Sequence, residues 1–288
     1  MAVPRSFHDN PATSRDLRLP LPRLAEISVD GGHGPVSFLT DGALLEACGT
    51  RVGFSGRHGG VSLEPYRSLN LSRYTSDSPS NVEENRRTLL SACGAGGLFP
   101  SLVMPKQVHG DTVLVYEDAP DQTRSLAEAG ADAVVCSTSG VPVMLSFADC
   151  VPVVLVAPGG AFAVVHSGWR GTYAGISGKA LSVLCDRTGA EPRECNAYIG
   201  PHICSCCYEV DGELLGRFVG RFGDGCDAGG SHLSLDHAVE ASLLSAGASR
   251  ERIANAGVCT SCHVDEYFSH RAENGATGRH GAFAFRKD

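Results

Sequence analysis

Three widely separated residues carry metal-ligating or nucleophilic side chains where an apolar run gives way to a loop. His109 stands in Lys106-Gln-Val-His-Gly110, Cys150 closes Leu145-Ser-Phe-Ala-Asp-Cys150, and His166 closes Phe162-Ala-Val-Val-His166. Two imidazoles and one thiolate suit Zn²⁺, and three protein ligands leave a fourth vertex open, as catalytic zinc requires. Water at that vertex is acidified toward a pKa of about 7. The separations of 41 and 16 residues match no compact zinc signature. On spacing alone the same residues also read as hydrogen-bonded core histidines and an inert buried cysteine.

These residues need rigid elements to bring them together. Residues 133–136, 141–146, 153–156 and 162–166 are short apolar runs rich in β-branched side chains and punctuated by Gly or Pro, which predicts a sheet-rich centre. Residues 50–62 read as a strand that ends in a glycine-rich loop, and further strands are expected at 112–115, 197–199, 252–258 and 281–285. Helices are predicted over 81–93, 172–185, 211–222 and 235–246. The first has Ser80 as N-cap with Glu83 in a capping box, and Gly94 as its stop. Strands and helices alternate without a steady βαβ beat. The expected fold is therefore α+β (mixed α/β): central mixed β-sheets with helices packed outside, in a single compact domain over residues 46–288. Residues 1–45, with five prolines in the first 35, are expected to be a poorly ordered or variable N-terminal extension.

Hydrophobic residues make up 42% of the 288 and charged residues 19%, enough apolar material for a large core. A net charge of −8 argues against nucleic acid as a partner, because phosphate neutralisation needs a basic face. Apolar runs are broken well short of the roughly 20 residues a membrane span needs, so no membrane partner is expected. The N-terminus lacks the apolar core of a secretory signal, which implies a cytoplasmic protein with reduced thiols, a monomer or weak homo-oligomer. The twelve cysteines are a surplus. Cys204, Cys206, Cys207, Cys259 and Cys262 read either as a second metal site or as reduced, partly buried thiols. The Cys259-Thr-Ser-Cys-His263 string also matches a c-type haem attachment, which the absence of an export signal argues against.

The blocks Lys106-Gln-Val-His-Gly110, Ala148-Asp-Cys150 and Val165-His-Ser-Gly-Trp-Arg-Gly171 resemble the three signatures of a purine nucleoside phosphorylase family. Its members were formerly described as laccase-domain or multicopper polyphenol oxidase proteins, some also as peptidoglycan editing factors. Phe54-Ser-Gly-Arg-His-Gly-Gly-Val-Ser62, Ser68-Leu-Asn-Leu71, Val82-Glu-Glu-Asn-Arg86, Ile199-Gly-Pro201, Cys207-Tyr-Glu-Val210, Cys259-Thr260 and Thr277-Gly-Arg279 add to the likeness, in the family's order, from about residue 50 onward. Ser167 stands where alanine is usual, and Gly56 where threonine is usual.

The resemblance implies a zinc bound by His109, Cys150 and His166. It also implies an enzyme with glycosyltransferase and hydrolase activities: phosphorolysis of adenosine, inosine, guanosine and methylthioadenosine, and deamination of adenosine. Its partners would be purine nucleosides and phosphate. Arg57 and Arg170, in glycine-flanked loops, would then clasp phosphate or simply be surface arginines in turns. Asp149 would orient a ligand imidazole or move a proton, or else be a turn-forming Asp. Asn70 would contact ribose or the metal's water, or else shape a turn. Trp169 offers a face for a purine, or anchors the core.

Other chemistries use the same residues. Copper can occupy such ligands in vitro. A multicopper oxidase cluster, however, needs His-Xaa-His pairs, and none of the eleven histidines is two residues from another. Cys150 activated by either histidine would make a thiol amide hydrolase that edits cell-wall peptide precursors. A zinc-stabilised interaction protein without catalysis is the third reading, disfavoured because a chain of this size hardly needs a metal staple.

Overall fold

Valine-rich runs buried on both faces define the architecture. The computed structural model describes residues 18–117, 125–126 and 128–287. Strands β7 (Val151–Val156) and β8 (Phe162–Ser167) are buried at every position and pair antiparallel, with Pro152 opposite His166 and Val156 opposite Phe162. They form the middle of a six-stranded mixed sheet ordered β10-β9-β7-β8-β5-β4. Its other members are β4 (Val113–Tyr116), β5 (Ala133–Cys136), β9 (Asn196–Ile199) and β10 (Ile253–Asn255). A five-stranded antiparallel sheet, ordered β1-β2-β3-β11-β6, joins β1 (Ala25–Asp30), β2 (Pro35–Thr40), β3 (Thr50–Ser55), β6 (Val143–Phe147) and β11 (His280–Arg286).

The period of two along each strand sorts side chains into separate cores. Val151, Val153 and Leu155 join a cluster with Ile176, Leu181, Phe218 and Leu243, which come from helices on the outer face. Val154 and Val156 join Val52, Phe54, Leu145 and Ala282 between the two sheets. Met144, Phe283 and Phe285 pack with Leu89 and Leu90 on the far side. The layers therefore run helices, sheet, sheet, helix, with the central core between the sheets. This is the mixed α+β single domain expected from the sequence.

The α-helices bounded within the described residues are α1 (Gly42–Cys48), α2 (Pro79–Ala92), α3 (Trp169–Ala174), α4 (Ile176–Thr188), α5 (Gly212–Phe222) and α6 (Leu235–Ser245). The expected helix over 172–185 is two. Gly175, at φ 83°, ends α3 and starts α4, because glycine adopts the left-handed conformation without a Cβ clash. Helix α2 starts at Pro79 behind Ser78, and no side-chain cap bond forms. Glu83 pairs with Arg87 instead of closing a box with Ser80.

Residues 1–17 lie outside the described residues; within the stretch expected to be a poorly ordered or variable extension, 25–30 and 35–40 form β1 and β2, and α1 begins at 42. Segment 18–24 is tied down as well. Asp41 caps α1 at Leu44 and accepts from both the Arg23 N–H and the Tyr198 hydroxyl, while Asn196 donates to the Pro20 carbonyl. Prolines at 20, 22 and 35 leave this pairing intact because they sit outside the strands or at the first residue of β2.

Candidate active site

The antiparallel register of β5 on β8 sets Ala133 opposite Val165, so the next residues outward, Asp132 and His166, face each other. The His166 N–H donates to the Asp132 carbonyl at 2.7 Å, and its ring Nδ1 lies 2.8 Å from Asp132 Oδ1. Both side chains are buried, His166 at 3% exposure and Asp132 at 0%. The same carboxylate accepts backbone N–H groups from Val108 at 3.3 Å, His109 at 3.0 Å and Gly110 at 2.7 Å. One buried carboxylate thus fixes the ring of His166 and the loop that carries His109.

His109 sits in a bend at φ 57°, and its ring meets that of His166 edge-on with centroids 4.8 Å apart. Cys150 lies between β6 and β7, just after Asp149, which is held at φ 87°. Left-handed backbone at two non-glycine residues beside the site is strain that the surrounding hydrogen bonds maintain. The donor atoms of His109, Cys150 and His166 all lie within 4.8 Å of one another. With Nδ1 of His166 engaged by Asp132, its Nε2 is left for a ligand, the usual way a carboxylate fixes a metal-binding imidazole. Two soft-to-borderline nitrogens and a sulfur fit zinc or a similar divalent ion.

Glycines make the convergence possible. A Cβ on Gly168 would stand 3.1 Å from His109 Cδ2 and 3.2 Å from Cys150 Sγ, and one on Gly171 would stand 2.6 Å from the Gly110 carbonyl oxygen. Helix α3 can therefore approach the His109 loop closely. The Ser167 hydroxyl, where the resemblance leads one to expect alanine, is satisfied by Thr172 Oγ1 at 2.8 Å.

The electrostatics favour separated charge without a metal. Burial pushes the Cys150 thiol up, but the charge on His166 and hydrogen bonds from His109 and His166 outweigh it and bring the thiol down to about 6. Burial pushes His166 down, yet the Cys150 thiolate and the bond to Asp132 raise it to about 9. Burial also pushes Asp132 up, but His166 and the N–H groups of Gly110 and Val108 hold it below the usual carboxylate range.

The three residues sit in a cavity of about 440 Å³, with Tyr74, Ile203 and Tyr208 on its apolar walls and His270, Arg271 and Arg279 as cationic or ionisable walls. Arg279 is braced through Nη1 to the carbonyls of Thr277 and Gly278, and its N–H donates to Asn70 Oδ1. Arg271 reaches the Glu209 carbonyl and lies over the Tyr208 ring.

The other residues singled out from sequence fall elsewhere or play different parts. Arg57 is buried against Glu273 at 3.0 Å, bonded to the Val264 carbonyl and stacked over Phe268, so it braces the C-terminal loops and does not line the cavity. The Arg170 guanidinium lies 4.3 Å over the Trp169 ring, and neither residue lines the cavity; Trp169 packs on the outer core. Asn70 is fully buried and holds Thr75, Asp77 and the backbone of Arg279, the turn-shaping alternative. Asp149 does line the cavity, but its carboxylate accepts from Thr260 Oγ1 at 2.7 Å and the Arg271 N–H at 2.6 Å. The imidazole-orienting part falls to Asp132, which the sequence reading missed. Gln107 bonds both the N–H and carbonyl of Ser146 and so shapes the cavity wall.

The family description "multi-copper polyphenol oxidoreductase laccase" matches residues 51–287. Purine nucleoside phosphorylase YlmD of Geobacillus stearothermophilus is 34% identical over 83% of this chain and 91% of its own length. Adenosine deaminase RL5, from an unknown prokaryotic organism, is 33% identical over 77% of this chain and 88% of its own. The crystal structure of YlmD from G. stearothermophilus superposes with a TM-score of 0.78 at 33% identity, covering 87% of this chain and 96% of that one. With so much of both lengths matched and the same fold, this chain belongs to the multi-copper polyphenol oxidoreductase laccase family, alongside relatives named purine nucleoside phosphorylase.

Proposed function

We propose that this protein is a zinc-dependent enzyme acting on purine nucleosides, cleaving the N-glycosidic bond with inorganic phosphate and deaminating adenosine. The observation that carries the reading is the convergence of one sulfur and two imidazoles within 4.8 Å, at the wall of a cavity that also holds Arg271 and Arg279. The relatives named purine nucleoside phosphorylase and adenosine deaminase support the substrate class.

His109, Cys150 and His166 would hold the zinc ion, which when bound supplies Lewis-acid polarisation and an acidified water. Asp132 keeps the proton of His166 on Nδ1 and aims the other nitrogen at the site. Arg271 and Arg279 bind the phosphate dianion, a part for which sequence nominated Arg57 and Arg170. In phosphorolysis a phosphate oxygen attacks C1′ while the bond to the base nitrogen breaks and positive charge grows on the ribose. Guanidinium groups that fix the dianion in line supply much of the rate by positioning. The apolar walls at Tyr208, Tyr74 and Ile203 receive the base and exclude water.

A second reading rests on the same geometry. Cys150, His166 and Asp132 form a thiol–imidazole–carboxylate series that suits a nucleophilic hydrolase. A thiol nucleophile uses one imidazole, however, whereas two converge on this sulfur, which favours the metal. A laccase cluster is disfavoured because, among the described residues, only two imidazoles, His109 and His166, join the group. Purified protein incubated with adenosine and phosphate should release adenine, ribose-1-phosphate and some inosine, resolved by chromatography. Unchanged nucleoside at high enzyme concentration, with rapid alkylation of Cys150 in active metal-free protein, would favour the hydrolase.

A further inference from the structure

A second group of sulfurs lies outside the His109–Cys150–His166 group. The parallel bridge between His202 and Cys259, reinforced by the Thr260 N–H to the His202 carbonyl at 2.9 Å, joins the loop after β9 to the loop after β10. Across this junction the sulfurs of Cys206, Cys207, Cys259 and Cys262 all lie within 4.8 Å of one another. The Cys206–Cys207, Cys206–Cys262 and Cys207–Cys262 separations are 3.8, 3.7 and 3.4 Å. Four thiolates at about 2.3 Å from a tetrahedral zinc stand about 3.8 Å apart. A disulfide needs about 2.05 Å, and all four cysteines are free.

Cys259-Xaa-Xaa-Cys262 folds as a ligand-bearing turn. The N–H groups of Cys204, Ser261 and Cys262 all point at the Cys259 sulfur, the first at 3.4 Å. Such N–H donors offset the negative charge of a four-thiolate site. Cys204, grouped with these cysteines on sequence, stays outside: its sulfur turns toward His202 Nε2 at 3.9 Å.

We propose that Cys206, Cys207, Cys259 and Cys262 form a second, closed four-sulfur site for a zinc-class divalent ion. The site is structural, since no vertex is left for substrate. It clamps the loop that gives Ile203 and Tyr208 to the cavity onto the loop whose Thr260 holds Asp149 next to Cys150. It uses sulfurs distinct from the catalytic group, so it stands or falls independently of the enzymatic reading.

The test is metal stoichiometry on the full-length protein purified under reducing conditions. Wild type should carry two zinc equivalents per chain. The Cys206→Ser/Cys262→Ser variant should carry half as much, and so should His109→Ala/His166→Ala. Cys206 and Cys262 are exposed, so serine there leaves the core untouched. Loading His109→Ala/His166→Ala protein with Co²⁺ should give an intense thiolate-to-cobalt charge-transfer band that disappears when Cys206→Ser/Cys262→Ser is added. Zinc content unchanged by the cysteine substitutions, absence of that band, or a disulfide among the four in the reduced protein's intact mass would each overturn the proposal.

Discussion

Asp132 Oδ1 lies 2.8 Å from His166 Nδ1, and the same oxygen accepts the His109 N–H at 3.0 Å, so one carboxylate serves two of the three converging residues. Replacing it with alanine leaves the His166 ring free to rotate and the loop N–H groups buried without an acceptor. Outer carboxylates of this kind are worth roughly 10–100-fold in metal affinity or activity. Asp132→Ala should lose metal to a competing chelator by about that factor, and Asp132→Asn should recover part of it. Equal retention in wild type and Asp132→Ala would refute the assignment.

The metal-free protein should have a distinctive pH profile. The Cys150 thiol is depressed from 9.0 to about 6, so its contribution to stability is full above the unfolded value and is lost as pH falls through about 6. His166 is raised from 6.5 to about 9, so its contribution is full below the unfolded value and is lost as pH rises through about 9. Both are present together only in the window between. The melting temperature of chelator-stripped wild type should peak there, and the peak should flatten in Cys150→Ala. A profile identical in both proteins would show that the pair does not form.

The three converging residues were legible because their chemistry is rare and two of them, Cys150 and His166, close apolar runs. Strands β5 to β8 were legible because strands buried on both faces read as mostly apolar, Val-rich runs. Asp132 was not. It stands in Gly130-Ala-Asp-Ala133 as one carboxylate among many, and only the pairing of β5 with β8 sets it opposite His166. Strand β1 was missed although Ala25, Ile27 and Val29 alternate with Glu26, Ser28 and Asp30, because the run is short, sits among prolines and is exposed at all six positions. Arg57 misled because a glycine-flanked arginine looks like an anion clasp, whereas its acidic partner, Glu273, lies 216 residues away.

That long-range pair separates two kinds of arginine. Arg57→Leu removes the cationic member of a partly buried ion pair while Ser269 N–H and Thr277 Oγ1 still donate to Glu273, a change that costs about 1–3 kcal/mol. It should lower the denaturation midpoint while leaving the KM for phosphate near wild type in the protein that remains folded. Arg279→Met should do the reverse, raising the phosphate KM at least tenfold, about 1.4 kcal/mol of binding, with a smaller effect on the nucleoside KM. Steady-state kinetics with each substrate varied in turn decides this. A phosphate KM that responds to Arg57 and not to Arg279 would return the anion site to the Gly56–Gly60 loop.

Gly168 offers the most local test of the convergence. Its backbone, at φ −70°, accepts any residue, so alanine brings no conformational strain. The added methyl would stand 3.1 Å from His109 Cδ2 and 3.2 Å from Cys150 Sγ, tight enough to push both donors apart by a few tenths of an ångström. A site that depends on those atoms meeting at one point should feel this far more than the fold does. Displacements approaching 1 Å in catalytic geometry cost on the order of a hundredfold, so a smaller shift should reduce turnover on the order of tenfold. Weaker zinc retention should accompany it, with little change in melting temperature of the metal-free protein. Wild-type zinc affinity and turnover in Gly168→Ala would mean that the two side chains are not held to a common ligand.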